Sequence, residues 1–370
     1  MTLVRFSAPT RIIAGLGARA ELGAVLDHIG AWPVAVVVDR GVHEQGVLDR
    51  VVDGWSSDRF VLCARIDADP TVADAEAAVR AAQAAGCRAV LAVGGGSALG
   101  AGKAVALRLA NAQPIGAYEG RDRAPVRPAP CVALPTIAGS GSEVSNALVL
   151  HDHEGDRVTV VRGDGYEPDV AILDAELLDT LPPGPMLHAA LDGLSHALEA
   201  LWVHGASRYT DALAHAAARE IAAILPAALG ERRPDDVQRL LEAGAMANLA
   251  CGPSGLGLVH ALASATSVHL PHGYQTAVLL PHVAAFHEPV LDARAAASVA
   301  AGLAVYDEIG FDGRFGPNEI PAEAAEAMVT AALGNPFRTN DLRLADGDEL
   351  RAILAAAGAE VAATTLRSTT

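Results

Sequence analysis

The sequence has little positive charge. Only 27 of its 370 residues are lysine or arginine, against 44 aspartates and glutamates, which gives a formal net charge of −17. Lys103 is the single lysine. A surface this acidic repels phosphate backbones, so we do not expect nucleic acid as a partner. The charge balance says nothing direct about a small-molecule substrate.

Cysteine is scarce and widely spaced. The four cysteines form no CxxC pair, which argues against a zinc site built from thiolates. We interpret them as small buried hydrophobic residues of a protein from a reducing compartment. Aromatic residues make up only 4% of the chain and give no signature of a substrate pocket.

Long apolar runs are lacking as well. No uncharged apolar run approaches the roughly 18 residues that a transmembrane helix needs, and the first residues lack the apolar core of a signal peptide. We therefore expect no membrane partner and a cytoplasmic location. With 51% apolar and 19% charged residues the chain is typical of a folded globular protein, and its length predicts about two domains.

The first half of the chain alternates short apolar runs with helical stretches. The runs at 33–39, 88–97, 129–136 and 168–174 show no polar alternation, which is typical of strands buried on both faces. Helical segments such as 73–86 lie between them. This order predicts a doubly wound parallel sheet.

The pattern changes after the segment LPPGP at 181–185. From there onwards the sequence shows Ala- and Leu-rich helical patterns and almost no strand signal. We therefore predict an α/β dinucleotide-binding domain at 1–181 and an all-α domain for metal and substrate at 182–370. A cleft between two such domains is a common location for chemistry.

Three features of the first half suit a dinucleotide. The turn containing Gly95, Gly96 and Ser97 precedes a predicted helix, whose free N–H groups and positive dipole end favour a pyrophosphate. Its spacing is neither GxGxxG nor a Walker loop, so a plain tight turn stays an equal alternative. Asp39 ends a predicted strand and suits either ribose hydroxyls or a helix cap. The loop at 134–146 suits a phosphate or nicotinamide, or is an ordinary polar loop.

The second half carries candidate metal ligands. Asp192 and His196 are four residues apart and share one face of a predicted helix. His260, His269 and His272 follow later in the chain. Each alone has an ordinary explanation, a solvated helix face for the first pair and a core histidine for the others. Together, Asp192, His196, His260 and His272 form a sensible set for Fe²⁺ or Zn²⁺ with a position open to substrate.

Five motifs occur in one order between about residues 5 and 290: GGGS, PTIAGSGSE, DGLSHALEA, GLVHALA and LPHGYQTAVLLPHV. Their combination resembles the iron-containing (group III) alcohol dehydrogenases. The resemblance implies an α/β nucleotide-binding domain followed by a helical domain, a dehydroquinate synthase-like architecture. It also implies a metal-dependent, NAD(P)-linked oxidoreductase acting on small alcohols, aldehydes or ketones, and a homodimer or larger homo-oligomer.

The resemblance assigns residues as well. It implies four metal ligands, which also form the catalytic set: Asp192, His196, His260 and His272. It implies six cofactor contacts: Asp39, Gly95, Gly96, Ser97, Thr136 and Ser140. Among these, the glycine turn would bind the pyrophosphate, and Asp39 would favour NAD over NADP. The metal, Fe²⁺ or Zn²⁺, would act as a Lewis acid on the carbonyl oxygen during hydride transfer.

Two positions depart from the family pattern, and a third residue is a candidate for one of its basic groups. Ser264 replaces a histidine often assigned to proton relay, so a shifted His269, or water with the nicotinamide ribose, would have to carry the proton. Gly100 replaces an aspartate, as in the maleylacetate reductase branch, whose substrates are carboxylated. Arg157 would be the basic residue of a strand pair beside the cofactor. These departures affect the expected substrate and efficiency more than the reaction class.

Three alternatives stay open at the level of the sequence. One is a maleylacetate reductase-like enzyme with a carboxylated substrate. Another is a lyase or cyclase of the dehydroquinate synthase type, although such enzymes need several basic residues around a phosphorylated substrate and the C-terminal half has few. The third is a binding homologue that has lost catalysis, for which Ser264 is the best argument. Net hydride transfer to added NAD separates the dehydrogenases from the other two.

Overall fold

The computed structural model of this chain describes residues 4–30, 32–152 and 157–361. Its first part contains two sheets. The strands are β1 (Arg11–Ala14), β2 (Val34–Asp39), β3 (Phe60–Ile66), β4 (Ala89–Gly94), β5 (Gly120–Arg121), β6 (Cys131–Pro135), β7 (Ala147–Asp152), β8 (Arg157–Arg162) and β9 (Val170–Leu173). Six of them form a parallel sheet in the order β1-β9-β6-β4-β2-β3, and β5-β8-β7 form a small second sheet.

The strands of the large sheet are apolar on both faces because helices cover both. Along β2, Val34, Val36 and Val38 belong to one hydrophobic core, whereas Ala35 and Val37 belong to another on the opposite face. The covering helices of this part are α1 (Leu22–Ile29), α2 (Arg40–Glu44), α3 (Val47–Val51), α4 (Val72–Ala84) and α5 (Gly96–Ala110). The predicted doubly wound parallel sheet is confirmed, since buried strands have no solvent face to make polar.

The chain after β9 is helical. Its helices are α6 (Pro183–Glu199), α7 (Arg208–Leu229), α8 (Pro234–Ser254), α9 (Leu258–Leu262), α10 (His272–His287), α11 (Ala293–Ile309), α12 (Ala322–Gly334) and α13 (Gly347–Ala356). Short 3-10 turns lie at Ala18–Glu21, Ile115–Tyr118, Ala175–Leu178, Glu288–Val290 and Arg338–Asn340. The predicted architecture, an α/β part followed by an all-α part, is confirmed. The bounds 1–181 and 182–370 stay a prediction.

Helix α6 is central to the second part. Its proline-rich start suits a helix N terminus, since Pro183 occupies the first turn, where no backbone N–H partner is needed. It packs against α7, α8 and α10. Of the described helices, α7 has the length and composition to cross a membrane, a test that core helices of folded proteins also pass. Because α7 packs against α6, α8 and α11, we interpret it as a core helix.

Candidate metal and dinucleotide site

The predicted cofactor residues lie at one edge of the large sheet, where β2, β4 and β6 end. The strand that follows β2 in sequence, β3, lies on one side of it, and β4 lies on the other side. The chain therefore reverses direction across the sheet between β2 and β4, and doubly wound folds bind nucleotides at such a switch point. Asp39 ends β2, and Thr136 follows β6 and donates its N–H to the carbonyl of Gly94 at 3.0 Å.

The glycine turn fits tightly between its neighbours. Gly94 has φ +146°, and a Cβ there would lie 2.7 Å from the Cβ atoms of both Asp39 and Ala98. Gly95 is the N-cap of α5 and offers no side-chain acceptor, so the first N–H groups of this 15-residue helix are left for another acceptor. Glycine thus brings the start of α5 beside Asp39 at the switch point.

Both ordinary and functional interpretations of Asp39 are compatible with its contacts. Its Oδ1 accepts a hydrogen bond from the N–H of Val42 at 3.1 Å, so it caps α2. This is the capping alternative from the sequence. Contact with a ribose stays a prediction, and it would use the second carboxylate oxygen.

The loop after β6 faces the glycine turn. A Cβ on Gly96 would lie 3.4 Å from the Cβ of Ser140. The side chain of Ser97, at the start of α5, accepts a hydrogen bond from the N–H of Asp69 at 3.3 Å. The structure therefore brings all six predicted cofactor residues to one edge of the sheet, and their binding role stays a prediction.

Lys103 holds this loop in place. It is buried in α5, and its Nζ donates to the carbonyls of Ser142, Ser145 and Ala147 at 2.9, 3.2 and 2.5 Å. Burial lowers its pKa to about 8, but three carbonyl acceptors match the three N–H donors of an ammonium group. The sequence shows Lys103 as the single lysine but gives no sign of this anchoring contact.

Glu143 in the same loop makes stability depend on pH. Burial raises its pKa to about 7 from 4.5, although its own backbone N–H and Lys103 oppose the shift. Between these values the folded state binds more protons than the unfolded state, so the stability of the wild-type protein falls as pH rises through this window. Glu143→Gln has no such group.

We therefore expect the free energy of unfolding of Glu143→Gln to match that of the wild type near pH 4.5. Above pH ~7 it should exceed the wild-type value by ~1–3 kcal/mol, the order given by a pKa shift of this size. Urea unfolding across this pH range measures the difference. A gap that is constant with pH would contradict the assignment, and Glu242→Gln, a half-buried glutamate on α8, is the control.

Close backbone contacts join the loop to the helices. Gly139 has φ +145°, and a Cβ there would lie 1.6 Å from the carbonyl oxygen of Ala189 in α6. Cβ atoms on Gly193 and Gly244 would lie 3.1 Å from the Cα and 2.8 Å from the N of Gly139, respectively. The loop backbone therefore touches α6 and α8 directly, next to the candidate metal ligands of α6.

Three of the four predicted metal ligands converge. One ligand atom each from Asp192, His260 and His272 lies within 4.8 Å of the other two, and this is the only such group found among the described residues. Asp192 Oδ1 lies 3.6 Å from His260 Nε2 and 3.9 Å from His272 Nε2. Asp192 and His260 are buried, whereas the His272 side chain is 53% exposed. The group is thus open on one side.

His196 lies beside this group without joining it. Its ring stacks on that of His260, with centroids 4.7 Å apart and an interplanar angle of 15°. The polar side chains of α6 from Asp192 to Glu199 are buried. The alternative of a solvated helix face is therefore wrong.

The donor atoms fit a divalent cation. The buried His196 Nδ1 and His260 Nε2 have no hydrogen-bond partner within the described chain, and carboxylate oxygen with imidazole nitrogen suits Fe²⁺ or Zn²⁺. Burial raises the pKa of Asp192, but the histidines around it, His196 first, outweigh burial and hold it well below its usual range. The group therefore presents an ionised carboxylate to a cation.

The pKa values of the two buried imidazoles shift in opposite directions. Burial lowers the pKa of His196 to about 4, with Asp192 opposing. Burial lowers the pKa of His260 too, but there Glu199 and Asp192 outweigh it and raise the value to about 10. The two carboxylates beside His260 therefore favour positive charge at this point, which a proton supplies in the metal-free protein and a bound cation would replace.

Glu199 is the residue that sequence reasoning missed. Its Oε1 accepts from the N–H of Val259 at 2.6 Å, and its Oε2 lies 2.5 Å from His260 Nδ1. The available signal was its position three residues after His196, on the polar stripe of α6.

The structure shows the surroundings of the residues that the comparison with the family pattern singled out. Ser264 Oγ donates to the Ala261 carbonyl at 2.7 Å and accepts from Asn335 Nδ2 at 3.1 Å, so both functions of its hydroxyl are engaged. His269 is exposed in the segment between α9 and α10 and lies outside the metal-ligand group. Arg157 is exposed and pairs with Glu119. A Cβ on Gly100 would come no closer than 3.9 Å to Val149, so space alone does not require glycine there.

Comparisons with known proteins agree with these features. Residues 9–175 match the model of the iron-containing alcohol dehydrogenases, and residues 186–358 match that of the C-terminal part of the same family. The probable alcohol dehydrogenase EutG of Salmonella typhimurium is 32% identical over 376 aligned positions, which cover 95% of this chain and 94% of that protein. The NAD-dependent methanol dehydrogenase of Bacillus methanolicus is 32% identical over 77% of this chain and 76% of its own length.

Solved structures show the same fold. A 1,3-propanediol oxidoreductase superposes with a TM-score of 0.90 at 24% identity, covering 96% of this chain and 100% of that one. A sulfoacetaldehyde reductase from Bifidobacterium kashiwanohense, solved in complex with NAD⁺, superposes with a TM-score of 0.87 at 25% identity, covering 96% and 99%.

Proposed function

The chain belongs to the iron-containing alcohol dehydrogenase family, and from this premise we propose that it is an iron-dependent, NAD-linked enzyme that interconverts small alcohols with aldehydes or ketones. The observation that carries the proposal is the convergence of Asp192, His260 and His272 beside the loop that reaches the nucleotide edge of the sheet. A cation held on α6 and a dinucleotide held at this loop would lie on elements whose backbones touch, an arrangement that suits hydride transfer.

In this proposal Asp192, His196, His260 and His272 hold the ion, and iron is favoured over zinc because the family is named for it. When bound, the ion polarises the carbonyl oxygen of the substrate or lowers the pKa of the alcohol. The chain supplies the rest. Thr276 donates its hydroxyl to Asp192 Oδ1 at 2.8 Å and fixes this carboxylate, and the exposed side of His272 leaves access for substrate.

The sheet edge orients the cofactor in the same proposal. The N–H groups of the glycine turn and of the N terminus of α5 would donate hydrogen bonds to the pyrophosphate. Asp39 would accept hydrogen bonds from the ribose hydroxyls. Thr136 and Ser140 would contact the cofactor from the loop that touches α6, which would orient it towards the candidate metal ligands. Two relatives support NAD, the NAD-dependent methanol dehydrogenase and the reductase solved with NAD⁺.

Asp39 gives a direct test of cofactor choice. Its carboxylate would repel the extra phosphate of NADP, so we expect the wild type to favour NAD and Asp39→Ser to shift the kcat/KM ratio towards NADP by at least ~10-fold. Serine still caps α2, which keeps the backbone in place. Steady-state kinetics with both cofactors measure the ratio. Asp53→Asn, at an exposed surface position, is the control, and an unchanged ratio in Asp39→Ser would refute the role.

The activity itself is tested after anaerobic loading with Fe²⁺. We expect NADH to form with primary or secondary alcohols and NAD⁺, and to be consumed with the matching aldehydes or ketones. The panel includes hydroxy acids and keto acids, because a preference for them would favour the maleylacetate reductase-like alternative. Iron-loaded protein that transfers no hydride to any of them would contradict the proposal and favour the lyase or binding alternatives.

A further inference from the structure

A buried carboxylate lies directly behind the candidate metal ligand His260. Glu199 ends α6 and has 0% exposure. Both of its oxygens are engaged, one with the N–H of Val259 and the other with His260 Nδ1. Neither contact reaches the cofactor edge of the sheet, so an effect of Glu199 on a bound cation would pass through His260.

The contact determines which nitrogen of His260 carries a proton. An ionised carboxylate only accepts hydrogen bonds, so Nδ1 must be protonated and donate to Glu199. In the neutral ring the lone pair is then on Nε2. This is the atom that faces Asp192 Oδ1 at 3.6 Å and lacks a hydrogen-bond partner within the described residues.

We propose that Glu199 is a positioning residue, which holds His260 in the tautomer and orientation that direct the Nε2 lone pair at the cation. The inference rests on the proposed function, because it requires a bound cation. A carboxylate behind a ligating imidazole makes the imidazole a better donor, and its removal commonly costs 10–100-fold in metal affinity. With Asp192, Glu199 also provides two buried negative charges to balance a divalent ion.

A second buried carboxylate near Glu199 serves as a natural comparison. A Cβ on Gly257 would lie 2.5 Å from Asp341 Oδ1 and 3.0 Å from Glu199 Oε1, so both carboxylates contact the same backbone position. Asp341 faces His287 Nε2 at 3.3 Å, and His287 Nδ1 donates to the Val283 carbonyl.

The two carboxylates differ in the histidine that each one faces. Glu199 touches a candidate ligand, whereas within the described part of the chain Asp341 makes no hydrogen bond or ion pair with any of the four. Substituting each by its amide separates a specific effect through His260 from a general effect of buried charge.

Glu199→Gln is the test variant, because its amide oxygen still accepts from Val259 while its NH₂ group faces His260 Nδ1. That arrangement favours the opposite tautomer, with the proton on Nε2. Metal-free protein is titrated with Co²⁺, an air-stable probe whose visible absorption reports the ligand set, in competition with a chromogenic chelator. We expect a 10–100-fold weaker affinity for Glu199→Gln and a change below ~3-fold for Asp341→Asn.

Two further measurements exclude a merely structural effect. In a His260→Ala background, Glu199→Gln should change Co²⁺ affinity by less than ~3-fold, because the ligand it positions is gone. NMR of isotope-labelled histidines in the wild-type protein should show His260 protonated at Nδ1 when the metal is bound, a result that needs no variant to fold.

The inference is overturned by wild-type affinity in Glu199→Gln, by an equal loss in Asp341→Asn, by an additive loss in the His260→Ala background, or by metal on His260 Nδ1. Wild-type protein that binds neither Co²⁺ nor Fe²⁺ removes the proposed function and the inference with it. Tight binding by the wild type with no effect of Glu199→Gln overturns the inference alone.

Discussion

Replacing His260 with alanine should weaken metal binding so far that the ion is lost on gel filtration, and should lower kcat/KM for alcohol oxidation by at least ~10³-fold, since it removes a donor and the polarisation that the ion supplies. His260 lies between Asp192 and Glu199, so its loss also leaves two buried carboxylates without their shared imidazole. Metal analysis after gel filtration and steady-state NADH formation give the two readouts.

His215→Ala is the matched control for this variant. His215 lies on α7 and bonds Ser298 at 2.7 Å, and it is not one of the proposed ligands. We expect it to keep its metal and its turnover. Full metal occupancy in His260→Ala, or equal losses in both variants, would refute the ligand assignment. Asp192→Ala should behave as His260→Ala does.

Gly139→Ala should lower the free energy of unfolding by more than ~4 kcal/mol, at the extreme of what single substitutions do. Its φ of +145° disfavours any side chain, and the new Cβ would lie 1.6 Å from the carbonyl oxygen of Ala189. The backbones of the loop and α6 would have to separate. Because this loop carries Thr136 and Ser140, we also expect a rise in the KM for NAD.

Gly184→Ala provides the comparison, because Gly184 lies on α6, the helix that Gly139 contacts. A Cβ there meets nothing within 4 Å, and alanine is favoured over glycine in helices by about 1 kcal/mol. Urea unfolding followed by circular dichroism should show this variant equal to or slightly more stable than the wild type. A loss of under ~1 kcal/mol in Gly139→Ala would show that the loop does not depend on this backbone contact.

The first part of the fold was largely predictable from the sequence. Strands that are covered on both faces cannot alternate apolar with polar residues, so the four apolar runs identified β2, β4, β6 and β9 directly. Both edge strands of the large sheet, β1 and β3, and the small sheet of β5, β7 and β8 were not predicted. They are short or partly exposed, so their apolar runs are short or mixed with polar residues.

The candidate site was predictable in its members more than in its arrangement. Periodicity placed Asp192 and His196 on one face of a helix, and the resemblance added His260 and His272. It did not indicate that His196 stacks on His260 outside the group of three. A ligand atom's position depends on side-chain rotamers and on how distant helices pack, and neither leaves a trace in residue spacing.

The sequence by itself therefore determined the parallel sheet, the helical second half, the glycine turn and the family, because each depends on local patterns or ordered motifs. Only the tertiary structure decided that the polar stripe of α6 is buried, that Glu199 supports His260 and that Lys103 anchors the loop. Periodicity shows which residues share a face but not what covers that face. Long-range packing alone decides whether a polar stripe meets water or another helix.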